Sequence, residues 1–224
     1  MIKKTQKPEM QAKFEKYKLK AESGDPEAIE KLGLCYDIGM GVESNKRKAA
    51  ALYRKAAKLG DKKAQYHLGR FYQKGIVVKQ NDKKFFHWMK KAAEQGYPCA
   101  QIVLASCYHD GKVVSKDYKK ALVWCTRAAE QGLPSAQMLL GNSYEVGYLV
   151  KKDLKQAHKW HKKAAKRMAY AQFIMSRDYY FGLGVRKDLK KWKEWLNKAA
   201  ENGSKEAQDL LDELRALNKK TTYN

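Results

Sequence analysis

The sequence predicts an all-α protein, an α/α superhelical solenoid of about five 36-residue helix-pair repeats with a capping helix at each end. Three observations predict it. Ala28, Ala64, Ala100, Ala136, Ala171 and Ala207 stand 36 residues apart, with a single interval of 35. Around them one text recurs: AIEKLGLCYDIG, AQYHLGRFYQKG, AQIVLASCYHDG, AQMLLGNSYEVG, AQFIMSRDYYFG. A second text keeps the same period: YRKAAKLG, MKKAAEQG, CTRAAEQG, HKKAAKRM, LNKAAENG. A fixed period of this length is the mark of stacked supersecondary units, each too small to bury its own apolar face.

The elements follow in order. Residues 9–22 read as an orphan second helix, because Gly24 precedes Gly60 by one period. First helices are expected near 26–38, 62–74, 98–110, 134–146 and 169–181. Within them Leu68 and Tyr72 follow Ala64 at i+4 and i+8, one stripe at helical spacing. Gly39, Gly75, Gly111, Gly147 and Gly182 end these helices where a left-handed residue is favoured. Second helices are expected near 45–59, 81–95, 117–131, 153–166 and 188–202. Asp82, Asp117, Asp153 and Asp188 open four of them as caps or first-turn acids. Gly60, Gly96, Gly132 and Gly203 close them, but Lys166-Arg167-Met168 takes the glycine's place in the fourth unit, which predicts an irregular junction there. Residues 204–218 read as an orphan first helix with Leu210, Leu211, Leu214 and Leu217 inward. The organisation is therefore 1–24 tail and cap, 25–203 repeats, 204–224 cap and tail.

Small residues recur in fixed columns: the Ala-Ala pairs, such as Ala128-Ala129, and Gly33, Gly69, Ala105, Gly141 and Ser176. Small side chains let helix axes approach closely. Leu52, Trp88, Trp124, Trp160 and Trp195 form one column, expected to be core and to supply the large surfaces facing the small ones.

Together these columns resemble the Sel-one-like repeat (SLR) family, a relative of the tetratricopeptide repeats. Its pattern runs A-Q-x-x-L-G-x-x-Y-x-x-G-x-x-V-x-K-D-x-x-K-A-x-x-W-x-x-K-A-A-E-Q-G, and AQIVLASCYHDGKVVSKDYKKALVWCTRAAEQG follows it nearly throughout. The first unit departs most, with Glu43-Ser44-Asn45 in place of Lys-Asp and Leu52 in place of Trp. The resemblance implies a right-handed superhelix that binds other macromolecules, with partner identity varying between members.

Composition narrows the function. Hydrophobic residues make up 44% and charged residues 32%, enough for a packed core. The net charge is +23 and is evenly spread: residues 1–112 carry 24 basic and 12 acidic groups, residues 113–224 carry 23 and 12. No long apolar run suggests a membrane span, and the basic start lacks the apolar stretch of a secretory signal, so a cytoplasmic location is expected. Cys35, Cys99, Cys107 and Cys125 form no CxxC pair and read as free, mostly buried thiols. No hydrolase elbow, zinc-protease helix or phosphate loop occurs, so no catalytic residue, metal or cofactor is expected. His158 and His161 lie three apart on a helix, but lysines crowd them and no carboxylate stands nearby in sequence.

Two surfaces carry the functional reading. The resemblance to tetratricopeptide repeats places the variable positions of the first helices on a concave side: Arg70, Gln73, Ile102, His109, Met138, Asn142, Phe173, Arg177 and Tyr180. Aromatic and apolar groups mixed with Arg suit an interaction hot spot. The first row of these is also expected to be partly buried between helices. The second surface is a basic edge that peaks at Lys151, Lys152, Lys155, Lys159 and Lys163. Like charges at i, i+4 repel, so helix stability does not ask for them. The expected function is a monomeric scaffold, adaptor or inhibitor that grips an acidic protein or peptide. The alternative is nucleic-acid binding by the lysine edge, which the scarcity of Arg and of interleaved aromatics disfavours.

Overall fold

The computed structural model describes the backbone of residues 6–221 and the side chains of residues 8–217. Among them are twelve α-helices and no strand: α1 (Gln6–Glu22), α2 (Pro26–Ile38), α3 (Lys46–Lys58), α4 (Lys62–Lys74), α5 (Asp82–Glu94), α6 (Pro98–Asp110), α7 (Tyr118–Glu130), α8 (Pro134–Val146), α9 (Leu154–Ala164), α10 (Ala169–Phe181), α11 (Leu189–Glu201) and α12 (Lys205–Thr221). The described first helices coincide with the expected spans. The second helices are shorter by about one residue at each end, because the capping residue lies outside the helix. No described helix is long and apolar enough to cross a membrane.

The chain divides into two compact units, one ending at Asp117 and one starting at Tyr118. In the first, α1 to α6 pack each on the next; in the second, α7 to α12 do the same. Helix-on-next-helix stacking is the solenoid architecture.

Local chemistry sets the boundaries. Asn45, Asn81, Asp153 and Asp188 accept hydrogen bonds from the third backbone N–H of α3, α5, α9 and α11 at 2.8–3.0 Å. Asp82 is thus a first-turn acid behind the Asn81 cap. Gly39, Gly75, Gly111, Gly147 and Gly182 adopt φ of 67 to 83°, the left-handed stop of the first helices. The fourth junction is irregular as expected: α9 has 11 residues where its counterparts have 13, and it ends through a right-handed Ala165.

A buried amide column stitches the stack. Gln65, Gln101, Gln137 and Gln172 donate from Nε2 to the carbonyls of Ala57, Ala93, Ala129 and Ala165 at 2.8–3.2 Å. Each bond adds a side-chain donor to a carbonyl at the end of the preceding second helix; those of Ala57, Ala93 and Ala129 also accept the backbone N–H of the closing glycine. Gln65 and Gln172 also accept from Gln95 and Asn202, thirty residues on at the end of the same repeat.

The small column does not face the tryptophans. It faces the residue after each of them. A Cβ added at Gly33 would stand 3.0 Å from the Tyr53 ring, and one at Gly69 would stand 2.7 Å from Met89 Cε. At Gly141 it would strike the His161 ring. Tyr53, Met89 and His161 are fully buried, whereas Trp88, Trp124, Trp160 and Trp195 are half-buried. Each indole lies under a cation three residues on: Lys91, Arg127, Lys163 and Lys198, at 3.7–5.4 Å from the ring centroid. The reason is helical phase: a turn of 3.6 residues points the position after Trp at the paired first helix and leaves Trp on the shoulder.

α12 ends the array. Its Ala207, Gln208 and Leu211 repeat the Ala, Gln and Leu columns, but Asp212 stands in the small column and Arg215 in the Tyr column. Arg215 donates to Asp212 at 3.0 Å, and both are exposed. A charged pair where a further second helix would press makes this face a polar cap. Cys35, Cys107 and Cys125 are buried, Cys99 is half-buried, and all four are free. Burial pushes the Cys107 and Cys125 thiols up to about 11.

Candidate interaction site

In the second unit a groove of about 310 Å³ opens between α10, α11 and α12. α10 contributes Phe173, Ser176, Arg177, Tyr180 and Phe181, which lie three and four residues apart and so share one helix face. Trp192 comes from α11, and Leu210 and Leu214 from α12. The Tyr180 ring packs 5.2 Å from Trp192 and 4.8 Å from Phe181. Phe181 keeps 65% of its surface in solvent and Tyr180 keeps 40%. Exposed aromatics at the mouth of an apolar groove are unusual on a surface that contacts nothing. Lys187 Nζ stands 5.4 Å from the Tyr180 ring centroid, and no carboxylate among the described residues pairs with it.

Beneath the groove lies a polar cluster. Arg177 Nη2 donates to Glu145 Oε2 at 2.7 Å and to Asp178 Oδ1 at 3.3 Å, while its Nε is buried without a partner. Asp178 is 1% exposed. His158 Nδ1 donates to its Oδ2 at 3.0 Å, and His161 Nδ1 lies 3.5 Å from the same oxygen. His161 Nε2 meets Asn142 Oδ1 at 3.1 Å. Burial pushes the Asp178 carboxyl up, but His158, His161 and Arg177 outweigh it and hold the carboxyl below its ordinary value. Asp178 therefore stays an anion and accepts from both sides.

The sequence-derived site residues separate accordingly. Phe173, Arg177 and Tyr180 meet in the groove. Asn142 is exposed but bound to His161. Met138 is corrected: at 6% exposure it packs with Ile174, Met175 and Tyr179 in the core, so it offers no contact surface. In the first unit, Arg70 is exposed with its guanidinium over the Tyr66 ring at 5.9 Å; Gln73 and His109 are exposed; Ile102 is half-buried. His109 Nδ1 is 3.0 Å from Asp110 Oδ1. Of the basic edge, Lys151, Lys152, Lys155 and Lys159 are exposed, while Lys163 is half-buried over Trp160 at 3.7 Å.

Sequence reasoning missed Phe181, Trp192, Leu210, Leu214 and the carboxylate partner of the two histidines. A signal for the last existed. Asp178 stands in a column occupied by Cys35, Phe71, Cys107 and Ser143, and His161 in one occupied by Tyr53, Met89, Cys125 and Leu196. A column of small or apolar residues gains a carboxylate in one unit and an apolar column gains an imidazole in the unit before it, which marks a compensating pair. Among the described residues no cluster of His, Cys, Asp and Glu has the geometry to hold a metal ion.

Comparison with known proteins places these features in context. The Sel1 repeat model matches residues 26–61, 62–97, 100–133, 134–167 and 169–204. A protective antigen with an SLR fold from uropathogenic Escherichia coli is similar over 86% of this chain, at 34% identity and a TM-score of 0.77; the match spans 41% of that longer chain. A Sel1 repeat protein from Oxalobacter formigenes is similar over 82% of this chain and 75% of its own, at 34% identity and a TM-score of 0.76. The immunity protein Pa5087 from Pseudomonas aeruginosa shares the fold, at 24% identity and a TM-score of 0.57, over 84% of this chain and 72% of that one. No curated protein matches the sequence.

Proposed function

Because this chain belongs to the Sel1 repeat family, whose members generally mediate protein–protein interaction without catalysis, we propose that it is a scaffold, adaptor or inhibitor that grips an acidic protein segment in the α10–α12 groove. The observation that carries this reading is the groove itself: Phe173, Tyr180, Phe181 and Trp192 converge on one apolar depression with Arg177 in its wall. Aromatic anchors and Arg are the residues that dominate binding energy at protein interfaces.

The partner's acidity follows from charge. The second unit carries 22 basic against 11 acidic residues. Such an excess steers negative partners and speeds encounter. Exposed lysines such as Lys151, Lys152, Lys155 and Lys159 contribute mainly through this long-range field, since exposed ion pairs are worth about 0–1 kcal/mol each.

Affinity purification from the native host, with mass spectrometry, tests the reading. Wild-type protein should capture a partner that Tyr180→Ala or Trp192→Ala releases faster, at a cost of about 1–3 kcal/mol. Replacing Lys155, Lys159 and Lys163 together by Gln should slow association, chiefly at low salt. A partner held equally well by both groove variants would refute the groove as the contact surface.

A further inference from the structure

We propose that Glu145 is an internal stand-in for a partner's carboxylate: it occupies Arg177 in the free protein, and an acidic–apolar segment entering the groove displaces it. This inference rests on the groove reading and names the chemistry by which the groove selects its partner.

The argument begins with an incomplete ion pair. A guanidinium offers two adjacent donors, Nε–H and Nη2–H, which match the two oxygens of one carboxylate side-on. Arg177 does not use that fork. Its Nη2 serves two carboxylates at once, Glu145 at 2.7 Å and Asp178 at 3.3 Å, while Nε is buried with no acceptor. A buried donor left unsatisfied costs free energy. The arrangement is therefore poorer than the one a single well-placed carboxylate would make.

The two acids differ in how firmly they are held. Asp178 is 1% exposed and is fixed by His158 at 3.0 Å from below. Glu145 is 23% exposed. It belongs to α8, two helices back, and Arg177 is its only ion-pair partner among the described residues. Asp178 thus positions the guanidinium, and Glu145, the more exposed of the two acids, is the ligand that a competing carboxylate can displace.

The groove supplies what Glu145 lacks. A partner residue bound among Phe173, Tyr180 and Trp192 is already oriented, so its neighbouring carboxylate reaches Arg177 as an intramolecular event. Lys187 at the mouth offers a second, unoccupied cation. The fitting partner is a segment with an aromatic or leucine anchor and Asp or Glu within one helical turn of it. A neutral apolar segment would leave the Glu145 pair intact and gain nothing from Arg177.

Two labelled synthetic peptides of equal length test this, both with Leu and Phe anchors at i, i+4, one with Glu and one with Gln elsewhere. Fluorescence anisotropy should show the Glu peptide binding wild-type protein about tenfold or more tightly than the Gln peptide. Glu145→Gln should tighten the Glu peptide by about three- to tenfold and leave the Gln peptide unchanged, since the competitor is gone. Arg177→Gln should bring the Glu peptide down to the Gln level. Melting curves are run alongside; Glu145→Asp, whose carboxylate is retracted, replaces Glu145→Gln if that fails to fold, and Arg177→Lys, which keeps the charge but not the fork, replaces Arg177→Gln.

A purely structural Arg177–Glu145 pair predicts the opposite sign, with Glu145→Gln weakening both peptides, and that result overturns the proposal. Equal binding of the two peptides, both lost in Trp192→Ala, also overturns it while leaving the groove as the contact surface. Binding of neither peptide, with a captured partner indifferent to groove substitutions, defeats both readings. A Trp192-dependent dimer in sedimentation would put a second copy of the chain in the groove and overturn the exchange.

Discussion

His158 on α9 donates to Asp178 on α10 at 3.0 Å, an imidazole–carboxylate pair that no other unit carries at these two positions. The bond makes a buried carboxylate tolerable and fixes the residue next to Arg177. Removing one partner of such a pair leaves an uncompensated buried group.

Asp178→Ala should therefore cost about 3–5 kcal/mol at pH 7. The direction of its titration sets the pH dependence. The folded carboxyl lies below its unfolded value, so its stabilisation is present above about pH 4 and is lost as pH falls through the folded value. Urea unfolding of wild type and variant at neutral pH and near pH 3 should show the gap narrowing in acid. A gap that is constant with pH would rule out the ionised carboxylate as its source.

Gly69→Ala should destabilise by no more than about 1 kcal/mol despite Ala's better helix propensity, because the new methyl meets Met89 Cε at 2.7 Å and the flexible but fully buried thioether must shift. The third repeat suggests the remedy, since it carries Ala105 and Cys125 in the same two columns. Met89→Cys alone opens a cavity; the double variant should recover part of both losses. A double-mutant cycle should give a coupling of about 0.5–3 kcal/mol in favour of the pair. Simple additivity would mean that the two columns do not face each other.

Trp124→Ala should cost about 1–2 kcal/mol, less than the roughly 2–5 kcal/mol of Leu104→Ala. Leu104 has no exposed surface, whereas Trp124 is half-buried with Arg127 stacked on it at 4.8 Å. Chemical denaturation of both variants checks the order. The reverse order would return the indole column to the core.

Cys99 should react first with a thiol reagent near pH 8. It alone is partly exposed; Cys35, Cys107 and Cys125 are buried, and burial raises all three thiols. Mass spectrometry should find one modified cysteine in the folded protein and four in denaturant. Early modification of Cys107 or Cys125 would contradict their burial.

The sequence by itself determined the repeat and the helix boundaries. These are local quantities. A left-handed glycine after Tyr108 or an Asn before Lys46 acts within one turn of chain, and a five-fold recurrence repeats each signal until noise averages out. The sequence also ranked Phe173, Arg177 and Tyr180 as contact residues, since they vary where core columns do not. Tertiary structure decided the rest. Whether Trp124 or Cys125 turns inward depends on a rotation of about 100° per residue about the helix axis, which composition cannot fix when both are apolar. The groove needs Trp192, on the second helix of the same repeat as Tyr180, and Leu214, beyond that repeat, so no reading of the first-helix columns alone could join them. Asp178 reached His158 and Glu145 reached Arg177 across twenty and thirty-two residues, distances at which only packing chooses partners.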